Sequence, residues 1–216
     1  LLLKPGSVPQ NPAAGEDQTS ATQSQREGAF FAVAAAWGLG KYVPECHLLV
    51  IDGKEYAAIK FLPPELWENG QQFKERDPNG PRRALSLYLA DIFKWAVLDY
   101  VLGNPDRNSG NVMFCQGEVK LIDHGSALAG IDFKPAHDKF SFVPFYLRAL
   151  AAGDYYKLSP EQKLRSLPRL VPVLEKEFQE WILRLDADLL KKLLFIHNVD
   201  PVPSLARLDI IKEACR

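Results

Sequence analysis

This sequence of 216 residues has few cysteines, no marked excess of either charge and no long apolar runs. It holds three cysteines, which lie far apart and form no Cys-x-x-Cys pair. That number and spacing disfavour a disulfide framework and a structural zinc site, so we expect a protein of a reducing compartment, the cytoplasm. No run approaches the about 20 apolar residues of a membrane-spanning helix, and the N-terminus does not have the form of a signal peptide.

Neither sign of charge is in excess. Lys and Arg number 26 against 27 for Asp and Glu, a formal net charge of -1. Such a chain has no overall basic field to attract nucleic acid or an anionic membrane surface, so neither is expected as a partner. The apolar fraction of 47% is that of an ordinary globular protein, and the length fits one domain or two small lobes. The first residues are Leu-Leu-Leu-Lys, with no Met, which suggests a fragment of a longer chain.

Residues 1–64 predict a small sheet lobe with one helix. A short buried strand is expected at residues 1–4, a long polar loop at 5–25, and an alanine-rich helix at 23–37 that stops at Gly38. Two more strands, at 47–51 and 56–61, flank Asp52-Gly53, which is a strong hairpin signal. The pair Pro63-Pro64 donates no hydrogen bonds to a ladder, so the sheet should end there, with a hinge near 59–64.

Residues 65–216 predict a mainly helical second lobe. One amphipathic helix is expected at 82–102, followed by a hairpin of two short strands at 112–115 and 119–123. Later helices are expected at 170–185 and 188–197, with a capping box at 159–162. The predicted fold class is therefore α+β, a two-lobed arrangement of a small antiparallel sheet lobe and a mainly helical lobe.

Three polar side chains that can bind a cation or accept a proton lie at one end of the predicted hairpin. Asp106 and Asn111 belong to the loop Gly-Asn-Pro-Asp-Arg-Asn-Ser-Gly-Asn, and Asp123 belongs to Leu-Ile-Asp-His-Gly. Antiparallel pairing would bring Asn111 and Asp123 side by side. Phosphoryl transfer needs such a set, because Mg²⁺ prefers hard oxygen ligands and the attacking hydroxyl needs a proton acceptor. Asp106 precedes Asn111 by five positions, the spacing of a kinase catalytic loop.

Either segment by itself would be interpreted as a turn, since Asn, Pro, Asp and Gly all favour turns. The two segments together, with a pair of strands between them, favour the interpretation as a kinase and predict an ATP-dependent phosphotransferase with a protein-kinase-like fold.

These motifs resemble those of the atypical kinases related to HipA and to the phosphatidylinositol 3- and 4-kinases. In that group a Gly/Asn-x-Asp-Arg-His-x-x-Asn loop precedes an Ile-Asp-Phe/Asn/His-Gly segment. The resemblance implies that Asp106 is the catalytic base and that Asn111 and Asp123 are ligands of Mg²⁺. Arg107 is expected to act with Asp106 by stabilising the catalytic loop.

The resemblance extends upstream with less specific motifs. Leu-Leu-Leu-Lys-Pro resembles the strand whose lysine, here Lys4, holds the α- and β-phosphates of ATP. The helix that follows Arg26-Glu27 resembles the one whose Glu pairs with that lysine, which gives Glu27 that role. The segment Ala-Ile-Lys-Phe-Leu, with Lys60, Phe61 and Leu62, falls where the hinge would bind adenine.

Lys60 competes with Lys4 for the phosphate-binding role. Ala-Ala-Ile-Lys imitates the Val-Ala-Ile-Lys strand of ordinary protein kinases, but it lies close before Asp106 and no helix with a suitable Glu intervenes. Lys4 has Glu27 behind it and leaves room for the helix, hairpin and hinge, so Lys4 is favoured. By their sequence alone, Lys4 could equally be a solvated edge residue and Glu27 a carboxylate that favours the helix dipole.

Two departures from the family pattern concern neighbours of the ligands. Asn108 stands where many relatives have His, and His124 stands where Phe is common beside the metal-binding Asp. A third departure is that no Gly-rich phosphate loop precedes Lys4. Either this sequence lacks that loop or residues 6–15 help to cover the phosphates.

The substrate hydroxyl is expected on Ser or Thr of a protein, by resemblance to the HipA-like branch and because no cationic membrane-facing run is present. A lipid headgroup is the alternative substrate, and a nucleotide-binding pseudokinase that serves as an interaction module is the alternative of another class. A regulatory subunit, or one that completes the first lobe, is left open as a further partner.

Overall fold

A computed structural model describes residues 1–6, 21–104, 106–128 and 176–216. Most of the 6–15 segment, the predicted capping box at 159–162 and the first part of the predicted helix at 170–185 lie outside the described residues. The rest forms an α+β fold of two small antiparallel sheets and several helices.

The first sheet has three antiparallel strands in the spatial order β1-β3-β2. The strands are β1 (Leu2–Pro5), β2 (Cys46–Ile51) and β3 (Lys54–Ile59). The predicted Asp-Gly hairpin is confirmed: Asp52 has φ of 51° and Gly53 has φ of 73°, the left-handed pair that a tight two-residue turn requires. In the sheet register Lys4 lies opposite Ala57, which places the lysine in the middle of the strand.

The prediction that the first strand is buried is wrong. Among the described residues β1 pairs only with β3, so it is an edge strand there, and Leu1 is 83% exposed. Leu2 and Leu3 are each 45% exposed. A run of leucines predicts an apolar environment, but an edge strand with one neighbour leaves much of each side chain in solvent.

The first helix follows the prediction closely. α1 spans Gln23–Ala36, and Thr22 caps its N-terminus in a capping box with Gln25. Gly38 adopts φ of 76° just after the helix ends, a conformation that glycine reaches without steric cost. Most of the first half of α1 is buried, including Arg26, Glu27 and Phe30, so these side chains lie inside the molecule.

The predicted helix at 82–102 is interrupted. The structure has a short strand, β4 (Glu68–Asn69), then α2 (Gly70–Arg76), α3 (Gly80–Ser86) and α4 (Leu89–Val101). Between α3 and α4, Tyr88 leaves helical geometry at φ of -118°, and its hydroxyl donates to the carbonyl of Gly117. The break therefore coincides with a contact to a residue distant in the sequence, which periodicity does not register.

The second sheet has the order β4-β5-β6 and carries the predicted hairpin. Its strands are β5 (Val112–Cys115) and β6 (Glu118–Leu121), with Gln116 and Gly117 in left-handed conformations at the turn. Three C-terminal helices follow: α5 (Lys176–Leu183), α6 (Ala187–Ile196) and α7 (Val202–Ala214). The last of these was not predicted.

Helix α4 lies at the centre of the apolar core. Its residues Ile92, Trp95 and Leu98 are fully buried and belong to the same cluster as Phe30 of α1 and Leu121 of β6. The loop that carries Asp106 and Asn111 follows the end of α4, which is anchored in this core. Among the described residues, none of the helices is both long and apolar enough to span a bilayer.

Candidate functional site

A cleft of about 300 Å³ opens between the first sheet and the β5–β6 hairpin. Its walls are mainly apolar, with Leu2, Val43, Ile59, Met113 and Ile122 among the lining residues. A set of charged side chains also lines it: Lys4, Glu27 and Asp123. A slot with apolar walls and a few converging polar groups is the usual form of a small-molecule site.

Lys4 is the charged centre of the cleft. Its Nζ lies 2.7 Å from Glu27 Oε1 and 2.7 Å from Asp123 Oδ1, so one cation joins strand β1, helix α1 and the segment after β6. Burial by itself lowers the pKa of the Lys4 ammonium, but the two carboxylates outweigh burial and raise the pKa above its ordinary value of 10.5. Lys4 is therefore a full positive charge at neutral pH.

Asp106 projects from the 103–111 loop into solvent and is held by amide groups on both sides. Asn108 Nδ2 donates to Asp106 Oδ1 at 2.7 Å, and Asn111 Nδ2 donates to Asp106 Oδ2 at 3.0 Å. The backbone N–H of Asp106 donates to Asn104 Oδ1 at 3.1 Å. The carboxylate is thus oriented by its neighbours and remains exposed, as a group that accepts a proton from a substrate must be.

The hairpin brings Asn111 and Asp123 to one end of the second sheet. Val112 pairs with Leu121, and the N–H of Ile122 donates to the carbonyl of Asn111 at 3.1 Å, so Asp123 lies one residue beyond the partner of Asn111. Asp123 has φ of 59°, a left-handed conformation that is uncommon outside glycine but that Asp adopts more readily than most residues.

The oxygen atoms at this end fit a Mg²⁺ ion. Both hydrogen bonds of Asn111 Nδ2 go to Asp106, which leaves the amide Oδ1 as a ligand atom. Asp123 uses Oδ1 for Lys4 and, within the described part of the chain, takes no hydrogen bond on Oδ2. Among the described residues no three His, Cys, Asp or Glu side chains are grouped to hold a metal by themselves. Mg²⁺ is commonly held by one or two protein oxygens together with nucleotide phosphates, and these two residues supply that number.

Arg107 is buried beneath the loop and does not reach the cleft surface. Its guanidinium makes two hydrogen bonds to the carboxylate of Asp99 on α4, at 3.0 and 3.1 Å. It also donates to the carbonyls of Asn111 and Ile122, at 2.7 and 2.9 Å. With 5% exposure, Arg107 acts on Asp106 and Asn111 by positioning the backbone that carries them.

His124 follows Asp123 and is buried, with 2% exposure. Its Nδ1 lies 2.9 Å from Arg107 Nη2, its Nε2 lies 3.0 Å from the carbonyl oxygen of Leu121, and its ring stacks on Phe30 with centroids 3.7 Å apart. Burial lowers the pKa of the imidazole well below its ordinary value of 6.5, and the charge of Arg107 lowers it further. The ring is neutral at physiological pH.

Helix α1 makes a second contact with the segment that follows β6. Arg26 is buried, and its Nε donates to the carbonyl of Gly125 at 2.7 Å. Consecutive residues Arg26 and Glu27 therefore contact the two sides of the site, the segment after β6 and the lysine of β1. The position of α1 and the position of Asp123 are linked by direct contacts.

Lys60, Phe61 and Leu62 line the same cleft on the side of the hinge. The backbone N–H of Lys60 donates to the carbonyl of Glu45, and Phe61 is 52% exposed. Within the described ranges Lys60 forms no ion pair, whereas Lys4 forms two. The sequence prediction left both lysines as candidates for the phosphate-binding role. The two differ in the ion pairs that surround them.

Sequence reasoning missed three residues that hold the site together. Asp99 is an acidic residue on an otherwise apolar stretch of α4, and a charge in such a run is a signal that could have been noticed. Phe30 and Arg26 carry no such signal, because the pattern of an alanine-rich helix does not show which side chains meet a segment almost 100 residues later.

Residues 68–168, just under half of the chain, match the family model described as phosphatidylinositol 3- and 4-kinase. That stretch includes Asp106, Asn111 and Asp123 and excludes Lys4 and Glu27. No curated protein matches the sequence. Among solved structures, the chain is similar to a Helicobacter pylori proinflammatory kinase, CtkA, with a TM-score of 0.43 and 15% identity. The likeness covers 99% of this chain and 86% of that one, and at this TM-score it is too weak to identify a function.

Proposed function

We propose that this chain transfers the γ-phosphoryl group of ATP to a Ser or Thr hydroxyl of a protein. Residues 68–168 match the model of the phosphatidylinositol 3- and 4-kinases, and ATP-dependent phosphotransfer is the chemistry of kinases. The observation that carries the proposal is the position of Lys4, whose ammonium lies 2.7 Å from both Glu27 and Asp123 at an apolar cleft.

The nucleotide would enter the cleft with adenine against its apolar walls. Backbone groups of residues 60–62 would bind the base edge, and the side chains of Ile59 and Met113 would flank it. Lys4 would hold the α- and β-phosphates. Glu27, which is 3% exposed, keeps the ammonium group at the cleft and would keep it there when Asp123 turns to other ligands.

Asp106 would accept the proton of the substrate hydroxyl. Asn108 and Asn111 hold its carboxylate without neutralising it, and its exposure leaves it open to a macromolecular substrate. Asn111 Oδ1 and the carboxylate of Asp123 would hold Mg²⁺, which neutralises charge on the phosphates. The protein then contributes mainly position and charge, and phosphoryl transfer needs little covalent chemistry from it.

A protein substrate is favoured by the charge balance of the chain. A phosphoinositide headgroup is an anion, and a chain of net charge -1 offers no general attraction for an anionic membrane. The family match favours the second candidate function, phosphorylation of a phosphatidylinositol headgroup, since that is the substrate named in the family description.

The test is transfer of labelled phosphate from ATP in the presence of Mg²⁺ to three acceptors: the chain itself, a degenerate Ser/Thr peptide library and phosphatidylinositol vesicles. We expect labelling of peptide, and loss of labelling in Asp106→Asn and Asp123→Asn. The matched control is Asp52→Asn, the same change at an exposed turn position, which should retain wild-type turnover.

Each outcome decides between the candidates. Labelled lipid with unlabelled peptide would transfer the proposal to the second candidate. Binding of ATP without turnover in the wild type would identify a nucleotide-binding interaction module. Unchanged turnover in both Asp106→Asn and Asp123→Asn would refute the assigned roles.

A further inference from the structure

One buried side chain, His124, contacts both helix α1 and the loop that carries Asp106. His124 stacks on Phe30 of α1 through its ring face and bonds Arg107 through its ring edge. Phe30 lies three residues after Glu27 on the same helix, and Arg107 follows Asp106 in the loop. The imidazole therefore connects α1 with the Asp106 loop through side chains, beside the contact that Lys4 makes with Asp123.

We propose that His124 is a positioning residue that couples helix α1 to the catalytic loop, with its ring face and its Nδ1 serving the two sides separately. This inference rests on the proposed function, since it assigns a task to His124 in the same phosphotransfer site.

The ring face positions α1. The rings of His124 and Phe30 are nearly parallel, with an interplanar angle of 8° and centroids 3.7 Å apart, in the buried core. Phe30 is fully buried, and the stack leaves its ring little freedom to move along the helix axis. Because Glu27 is almost one turn earlier on the same face, a shift at Phe30 moves the carboxylate that holds Lys4.

The ring edge of His124 positions the loop. The hydrogen-bonding partners around the ring define its tautomer. Arg107 can only donate, so Nδ1 must accept its hydrogen bond at 2.9 Å. The carbonyl of Leu121 can only accept, so Nε2 must carry the proton. The resulting neutral imidazole holds the same guanidinium that donates to the carbonyl of Asn111.

Histidine is the residue that meets both demands at once. Phenylalanine at this position would keep an aromatic face for Phe30 but would offer nothing to Arg107. Asparagine can place its Oδ1 near the position of Nδ1 but has no ring to stack. The two contacts can therefore be removed one at a time.

The kinetic test uses three variants. His124→Phe removes the acceptor for Arg107 and should lower kcat by roughly tenfold or more, the effect of losing a hydrogen bond to a charged group, with a smaller change in the KM for ATP. His124→Asn and Phe30→Leu remove the stack and should raise the KM for ATP by about threefold to tenfold, with a smaller change in kcat. A role in stability alone would not produce this split.

Two matched controls accompany these variants. His47→Phe repeats the His124→Phe change at an exposed histidine on the first sheet. Phe31→Leu repeats the Phe30→Leu change at the neighbouring position on α1. Both should leave kcat and KM near the wild-type values.

A second measurement tests the coupling without ATP. Amide hydrogen exchange in the whole chain should speed up in residues 104–111 when Phe30 is changed to Leu, although Phe30 lies on α1. In Phe31→Leu the change should stay within α1 and its neighbours.

The outcomes separate the two levels of the argument. The coupling would be overturned if hydrogen exchange in Phe30→Leu changed only in α1. It would also be overturned if kcat and KM changed together in the His124 variants, even if the wild type is an active kinase. A wild type with no turnover would refute the proposed function, and the exchange data would still decide on the coupling.

Discussion

The buried pair of Arg107 and Asp99 gives the sharpest prediction on stability. Within the described residues, Arg107 donates two hydrogen bonds to Asp99, one each to the carbonyls of Asn111 and Ile122, and one to His124. The side chains of Arg107 and Asp99 are 1% and 2% exposed. Arg107→Met keeps much of the volume but takes the guanidinium away from the buried Asp99 carboxylate, which keeps the hydrogen bond from Asn104 Nδ2.

The magnitude follows from that geometry. Removing one partner of a buried pair costs about 3 to 5 kcal/mol, because the remaining charge loses both its partner and its hydration. Since a domain of this size loses about 2 to 4 °C of Tm per kcal/mol, we expect Tm to fall by roughly 6 to 20 °C. Arg107→Lys should recover only part of the loss, because an ammonium cannot reproduce the planar fork.

The assay is urea and thermal unfolding followed by circular dichroism. Arg184→Met is the control, since Arg184 is 78% exposed and pairs with Glu180 at 2.9 Å on the surface, where ion pairs contribute little. If Arg107→Met unfolded within about 1 kcal/mol of the wild type, the view of Arg107 as the anchor of the loop would be refuted. Asp99→Asn combined with Arg107→Met should cost less than the sum of the single changes, because the two residues interact.

Two further predictions concern the lysine and the start of the loop. Lys4 has a pKa raised above its ordinary value of 10.5, so its contribution to stability is complete below pH 10.5 and is lost as pH rises through the higher folded-state value. The difference in unfolding free energy between wild type and Lys4→Met should therefore shrink above pH 10.5, and a constant difference would contradict the ion pairs. Gly103 has φ of 58°, and an added Cβ would lie 2.7 Å from Arg207 Nη2, whereas Gly117 at φ of 87° has open space around it. Gly103→Ala should thus lower the unfolding free energy more than Gly117→Ala, by about 1 kcal/mol or more in denaturant titrations, and equal losses would show that the Arg207 contact is unimportant.

The fold was predictable from sequence where local chemistry decides it. The Asp52-Gly53 turn, the helix that ends before Gly38 and the β5–β6 hairpin all have a short-range cause, and each was confirmed. The buried first strand and the continuous helix at 82–102 were wrong for the opposite reason. The exposure of β1 depends on what covers the sheet, and the break lies at Tyr88, whose hydroxyl contacts Gly117 far away in the sequence.

The site divides in the same way. Asp106, Asn111 and Asp123 lie in two short motifs whose residue types and spacing are visible in the sequence, although their roles stay predictions. The contacts of Asp99, Arg26 and Phe30 with that region are visible only in three dimensions. Periodicity marks Phe30 as a core residue but does not show that the ring beside it belongs to His124.

The location of the buried charges explains how the loop that carries Asp106 and Asn111 is held in place. Residues 106–111 form only a short 3-10 turn, Ser109–Asn111, and loops are ordinarily among the more mobile parts of a protein. Arg107 donates to the carbonyls of Asn111 and Ile122 at the open end of the hairpin and is itself held by Asp99 on α4, a helix of the buried core. One guanidinium thereby links α4 to the backbone of the segment that carries Asp106 and Asn111. A buried pair is a poor source of net stability compared with an apolar core of equal volume, so its value here lies in fixing the position of the loop.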